Sequence, residues 1–250
     1  MRWDIICHKE IDSTNEEARR LSVQGQPEGL VICADSQSAG RGRRGRAWDS
    51  PCAENLYFSI LLRPAFPAAQ APMLTLVMAY SVTRVIREKL GLPAFIKWPN
   101  DVVIDGRKVC CILTEMHLDG TRIADVIIGV GINVNQTDFR ADIAHTATSL
   151  ALQAKEPVDR QWLLQEILKD FQVQYETFTK KSNLSFLQEA YNGLLANREQ
   201  MVSVMEPGQE YRGIALGVNE RGELLVRREN GEVETVYAGE VSVRGIYGYV

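Results

Sequence analysis

The sequence predicts an α+β fold: a mixed, largely antiparallel sheet with helices, followed by a small all-β unit. Three observations lead there. The turn signals Asp105-Gly106 and Asp119-Gly120 separate three branched, apolar runs at 102–104, 109–115 and 123–135, the pattern of an antiparallel meander. Leu164, Leu168, Phe171, Tyr175 and Phe178 recur at spacings of four and three within 159–181, which is a helical period. After Arg198 short branched runs at 202–205, 211–218, 223–228, 233–237 and 241–246 alternate with glycine turns, the texture of a small barrel or sandwich. The chain is therefore expected to divide into 1–197 and 198–250.

The remaining elements follow in order. Ser13 with Glu16 three residues on is a capping-box signature and predicts a helix over 15–23. Residues 30–34 and 55–63 read as strands. An apolar-rich helix over 73–90 should stop at Gly91. Residues 95–101 read as a strand running into a turn, and 184–197 as a further helix.

The 250 residues carry 28 Lys and Arg against 32 Asp and Glu, a formal net charge of -4, which argues against nucleic-acid binding driven by overall charge. The first residues lack the layout of a signal peptide, and no apolar run is long enough to cross a bilayer, so a cytoplasmic location is expected. The five cysteines, Cys7, Cys33, Cys52, Cys110 and Cys111, are odd in number and form no C-x-x-C pair. Reduced thiols and no protein-held metal are expected.

Three segments stand out chemically. Gly40, Arg41, Gly42, Arg43, Arg44, Gly45 and Arg46 concentrate backbone freedom and fixed positive charge in an acidic chain, a combination suited to a local anion site. Lys97-Trp98-Pro99-Asn100-Asp101 ends a strand, and Lys108 follows the next turn. Gly129 and Gly131 interrupt a strand before Asn133, as where a backbone bulges or approaches a ligand. Each has an ordinary reading too: a solvated basic loop or an RNA-binding Arg/Gly arm, a plain turn, a surface lysine, a structural bulge. His8, His117 and His145 sit in no nucleophile or metal motif. Chemistry resting on charge and positioning, such as nucleotidyl transfer to a carboxylate, suits this inventory.

Taken in order with Asp12-Ser13-Thr14-Asn15, Asn55-Leu56-Tyr57-Phe58-Ser59 and Trp48, these segments resemble the biotin protein ligase family, the biotin–[acetyl-CoA-carboxylase] ligases, over essentially the whole chain. The resemblance implies a class II synthetase-like catalytic domain and an SH3-like C-terminal barrel. It implies biotin and MgATP as substrates, biotinyl-5′-AMP as the intermediate, and a lysine of a biotin carboxyl carrier protein or domain as acceptor. Residue by residue it implies catalytic roles for Lys108, Arg43 and Asp101, the last either orienting a lysine or serving the acceptor lysine in the second step. Biotin contacts would come from Ser13, Thr14, Asn15, Gln37, Gly40, Arg41, Gly42, Arg43, Lys108, Gly129 and Gly131. Nucleotide contacts would come from Arg44, Arg46, Trp48, Lys97, Asn100 and Asn133. The arginine loop would order over the adenylate.

One departure is Cys111, which stands where the family usually has glycine after the lysine. Some members carry an N-terminal helix-turn-helix that represses biotin genes. Here the motifs begin at Asp12, so no DNA-binding role is expected. Nor is a membrane partner, and the chain should act as a monomer or a homodimer. The related lipoate ligases share the fold type, but their Gly-Gly-Gly and His-Asp motifs are not matched.

Overall fold

A computed structural model describes residues 1–206, 209–238, 242–245 and 249–250. Its elements are β1 (Asp4–Ile11), α1 (Thr14–Val23), β2 (Leu30–Gln37), β3 (Leu56–Leu62), α2 (Met73–Leu90), β4 (Ala94–Lys97), β5 (Asp101–Ile104), β6 (Arg107–Asp119), β7 (Arg122–Ile132), α3 (Leu150–Ala154), α4 (Arg160–Lys181) and α5 (Gln188–Gly193). The strands β8 (Met201–Glu206), β9 (Gln209–Val218), β10 (Leu224–Arg227), β11 (Val233–Val236) and β12 (Ser242–Gly245) follow.

The first seven strands form one sheet in the order β1-β2-β3-β7-β6-β5-β4. Only the β1–β2 pair is parallel. Turn chemistry sets the meander: Asp105 and Gly106 both take positive φ, 49° and 70°, as a two-residue hairpin turn demands. β2 alternates between the two faces. Val31 and Cys33 join the main core, while Leu30 and Ile32 face a smaller cluster with Ala18 of α1, Leu61 and Ile127. α2 and α4 pack together over the main core. α2 ends where expected, with Gly91 left-handed at φ 67° and the Leu92 N–H bonded to the Ile86 carbonyl at 3.4 Å.

The last five strands form an all-antiparallel sheet, β11-β10-β9-β8-β12. Of the strand expected over 241–246, residues 241 and 246 lie outside the described residues. The apolar core runs unbroken into this sheet through Val202, Val204, Ala215 and Leu224. Trp98 is 2 % exposed and ties the two sheets by donating from Nε1 to the Gly222 carbonyl at 3.0 Å.

One strand was not foreseen, and three expectations are corrected. β1 had no strand signal, because it is an edge strand exposed along most of its length and held by backbone pairing to β2. The capping box does not form: Ser13 sits at the N-cap of α1, but its side chain makes no capping bond, and the Thr14 N–H is taken by Gln37 Oε1 of β2 at 2.9 Å. The helix expected over 184–197 shrinks to α5. Its flanks bond elsewhere instead, Leu184 N–H to the Glu220 carbonyl, and Leu194 and Ala196 to Ile96 of β4. Finally, the thiols are not all free. The β1–β2 register brings Cys7 opposite Cys33, with Cα atoms 4.7 Å apart, and the two form a disulfide; Cys52, Cys110 and Cys111 remain thiols.

Candidate active site

Two adjoining hollows lie where α1, the ends of β2 and β5, and the middle of β6 and β7 converge. The smaller, about 30 Å³, is walled by side chains rich in amide and hydroxyl groups. Gln37 Oε1 accepts from the Thr14 backbone at 2.9 Å and from Thr14 Oγ1 at 3.2 Å. Ser59 Oγ lies 2.6 Å from Asn15 Oδ1 and 2.8 Å from Thr14 Oγ1. Asn15 Nδ2 donates to Glu115 at 2.6 Å. Ser13, Thr14 and Asn15 are all buried, so this network is a fixed set of donors and acceptors. The floor needs its glycines. A Cβ on Gly129 would fall 2.1 Å from Asn15 Oδ1, and one on Gly131 would fall 2.6 Å from Trp48 Nε1.

The arginine loop arches over this hollow. Arg41 and Ala47 pair as an isolated bridge, and Gly42 N–H donates to the Arg46 carbonyl at 2.8 Å. Trp48 N–H donates to the Gly40 carbonyl at 2.9 Å; a Cβ on Gly40 would fall 2.6 Å from the Trp48 carbonyl oxygen. Arg41 forms an ion pair with Glu16 and lies 3.9 Å from Glu115. Arg43 donates to Asn100 Oδ1 at 3.1 Å and to the Ala238 carbonyl at 2.8 Å, which joins the loop to the second sheet. Arg44 and Arg46 are exposed on the rim.

The larger hollow is a cleft of about 1000 Å³. Arg43, Arg44, Arg46, Lys97, Lys108, Arg140 and Arg244 line it against Asp49, Asp101 and Asp142, so it is a cationic site in an acidic chain. Lys108 Nζ is 2.7 Å from Asp101 Oδ1 and 5.4 Å from the centre of the Trp48 ring. Lys97 Nζ sits 4.3 Å over the ring of Tyr249, whose hydroxyl donates to Asp101 Oδ2. Asn133 is buried at the far wall, donating to the Thr148 carbonyl at 3.1 Å.

A bulge makes this cluster possible. Asp101 pairs with Cys111 and Val102 with Cys110, but Val103 pairs with Lys108, which leaves Val109 as the extra residue. Lys108 and Cys111 are three apart and would face opposite ways on a regular strand. The bulge turns both into the cleft, while Val109 and Cys110 enter the core.

Electrostatics follow from that packing. Burial pulls the Lys97 ammonium down to about 8, with Asp101 opposing. Burial also works against charge on Lys108, but Asp101 outweighs it and holds that ammonium well above the usual lysine range. Asp101 is buried yet stays below the usual carboxylate range, because Lys108 and Lys97 outweigh its desolvation. Burial pushes the Cys111 thiol up to about 11, so it is neutral at physiological pH. Its Sγ accepts weakly from Asn100 Nδ2 at 3.4 Å, and its side chain points into the site.

Every site residue that the resemblance implies lines one of the two hollows, and Gln37, Trp48 and Cys111 line both; Gly45 of the arginine segment lines neither. Sequence reasoning missed Ser59 and Glu115, which bond the Asn15 side chain at the small hollow, and several residues between 139 and 147, Arg244 and Tyr249 in the cleft. No motif spacing could have found the last two. Among the described residues no His, Cys, Asp and Glu group could hold a metal ion, and no helix is long and apolar enough to cross a membrane.

Comparison with known proteins identifies the family. Residues 8–133 match the model of the biotin/lipoate A/B protein ligase family, and 199–244 match the biotin protein ligase C-terminal domain. Residues 245–250 lie outside both matches. The chain is 37% identical to the bifunctional ligase/repressor BirA of Bacillus subtilis, over 97% of this chain and 75% of that protein. It is 31% identical to the biotin–[acetyl-CoA-carboxylase] ligase of Paracoccus denitrificans, over 94% of this chain and 98% of that one. The biotin protein ligase of Aquifex aeolicus, solved in complex with biotin and ATP, superposes with a TM-score of 0.85 at 32% identity, over 97% of this chain and 99% of that one. The chain belongs to the biotin protein ligase family and is a ligase.

Proposed function

We propose that this chain activates biotin with ATP and passes it to one lysine of a biotin carboxyl carrier domain. The observation that carries the reading is the junction of the two hollows. A small hollow edged with amides, suited to a ureido ring, opens at Trp48 and Cys111 onto a cationic cleft suited to a nucleotide. Lys108 stands at that junction. A carboxylate emerging from the small hollow and a triphosphate in the cleft would repel each other, and Lys108, Lys97 and Arg43 offset the repulsion. A carboxylate oxygen of biotin attacks the α-phosphorus, and magnesium pyrophosphate leaves. The neutral amine of the acceptor lysine then attacks the acyl carbon; AMP leaves with the bonding electrons, and the amine loses a proton.

In this reading Ser13, Thr14, Asn15 and Gln37 hold the ureido group, while Gly129 and Gly131 keep the floor flat. Trp48, Asn133 and the rim arginines Arg44 and Arg46 serve the nucleotide. Asp101 aims Lys108. The catalytic unit is 1–197 and the accessory one 198–250. The match to nearly the whole Paracoccus ligase supports ligase activity, and the proposal assigns no operator binding. The RNA-arm alternative is disfavoured because Arg41 and Arg43 are bonded into the fold.

Labelled biotin, MgATP and a carrier domain form the test. ATP-dependent label on the carrier lysine is expected. No transfer, or salt-sensitive RNA binding in its place, would overturn the reading. A biotinyl-adenylate-dependent shift of specific DNA would overturn the statement on operator binding.

A further inference from the structure

Asp101 is held at both oxygens. Oδ1 faces Lys108 Nζ at 2.7 Å, and Oδ2 accepts from the Tyr249 hydroxyl. The tyrosine is the penultimate residue of the chain and reaches the site from the C-terminal sheet, 148 positions away from its partner. It lies outside the segments matched to the family. Its ring also carries Lys97, whose ammonium stands 4.3 Å over the face. The chain end is fitted into place: a Cβ on Gly245 would fall 2.0 Å from the Val250 carbonyl oxygen, so only glycine lets the terminus approach β12 this closely.

We infer that Tyr249 is a positioning residue for the adenylating centre, fixing the plane of the Asp101 carboxylate so that Lys108 stays aimed at the junction, and seating Lys97. The physical reason is geometric. A carboxylate bonded through one oxygen can rotate and take its lysine with both, which draws the ammonium off its target. A second donor on the other oxygen stops that rotation. Burial and the nearby Asp101 charge keep the phenol protonated, so it remains a donor throughout the working range. The ring gives Lys97 an anchor that does not compete for Asp101. Lys108, Lys97, Arg43, Arg244 and the neutral Cys111 are the other titratable groups acting on Asp101, Lys108, Lys97 or Tyr249.

The inference rests on the biotin-activating reading, and the test separates the two. Biotin-dependent ATP–pyrophosphate exchange is measured for the full chain, for Tyr249→Phe, for Tyr249→Leu and for Tyr249→Phe combined with Asp101→Asn. Tyr249→Phe keeps the ring and loses only the hydroxyl. It should lower kcat roughly tenfold, the scale of one hydrogen bond to a charged group, with KM for biotin unchanged and an unaltered melting temperature. Tyr249→Leu should in addition raise KM for ATP, because Lys97 loses its seat. In the Asp101→Asn background the further loss from Tyr249→Phe should vanish. Tyr249→Phe within twofold of the parent, or an effect undiminished by Asp101→Asn, would overturn the inference while leaving the biotin-activating reading intact. Absence of biotin-dependent exchange in the unaltered chain would overturn that reading and the inference with it.

Discussion

Lys97 and Lys108 are chemically alike and differ in their surroundings. Lys97 is 7 % exposed and shares Asp101 at a distance, so burial dominates and brings it to about 8. Lys108 touches Asp101 directly and stays charged. The sign of the consequence is fixed. As pH rises through about 8, Lys97 loses its proton and the cleft loses one positive charge, while Lys108, held well above the usual lysine range by Asp101, keeps its own. KM for ATP should therefore rise severalfold between pH 7 and 9, and Lys97→Arg, which cannot deprotonate there, should flatten that profile. A flat profile in the parent enzyme would contradict the assignment. Cys111 makes a second case. Its side chain points into the site and narrows the junction, so Cys111→Gly should leave biotin affinity equal or better by calorimetry. A large loss would show that the thiol contributes to binding. Gly131 stood out in the sequence as a glycine inside a strand, whereas Lys108 read as an ordinary surface lysine until the resemblance singled it out. Ser59, Glu115 and Tyr249 were not legible, since each acts on a partner 44, 100 and 148 positions away.

Elements were legible where local chemistry decides them. α2 carries a long apolar pattern and a glycine stop, and both are realised. The β5–β6 hairpin follows from Asp105-Gly106. Elements decided by distant backbone were not. β1 exists because β2 offers a free edge, and α5 is short because Ile96 and Glu220 take the bonds of its flanks. The Cys7–Cys33 bond belongs here too, since their spacing of 26 means nothing until the parallel register sets them opposite each other. The bulge at Val109 is likewise invisible in the sequence, yet it brings Lys108 to the site. The arginine loop is tied down by Arg43 to Asn100 and to the Ala238 carbonyl, and the proposed function makes it a lid. Arg43→Gly should still form the adenylate but release it early. The readout is indiscriminate labelling of lysines on bystander proteins, and tight retention would contradict the lid assignment.

At the scale of the whole molecule, the cleft belongs to both sheets. Arg43 reaches Ala238, Trp98 reaches Gly222, Tyr249 reaches Asp101, and the apolar core is continuous between them. The class of fold followed from hydrophobic period and turns, but this shared construction did not, because the contacts between sheets involve single side chains and no repeating pattern. In the proposed function one ligand spans the small hollow and the cationic cleft, with Lys108, which lines the cleft beside Trp48, at the point of bond formation. The most direct measurement is ATP–pyrophosphate exchange with and without biotin, in the parent chain and in Lys108→Ala. The expected result is exchange that requires biotin and falls on the order of a hundredfold or more in Lys108→Ala, with the fold retained by circular dichroism. Exchange independent of biotin, or a Lys108→Ala enzyme as fast as the parent, would contradict the assignment of this junction as the place where biotin is activated.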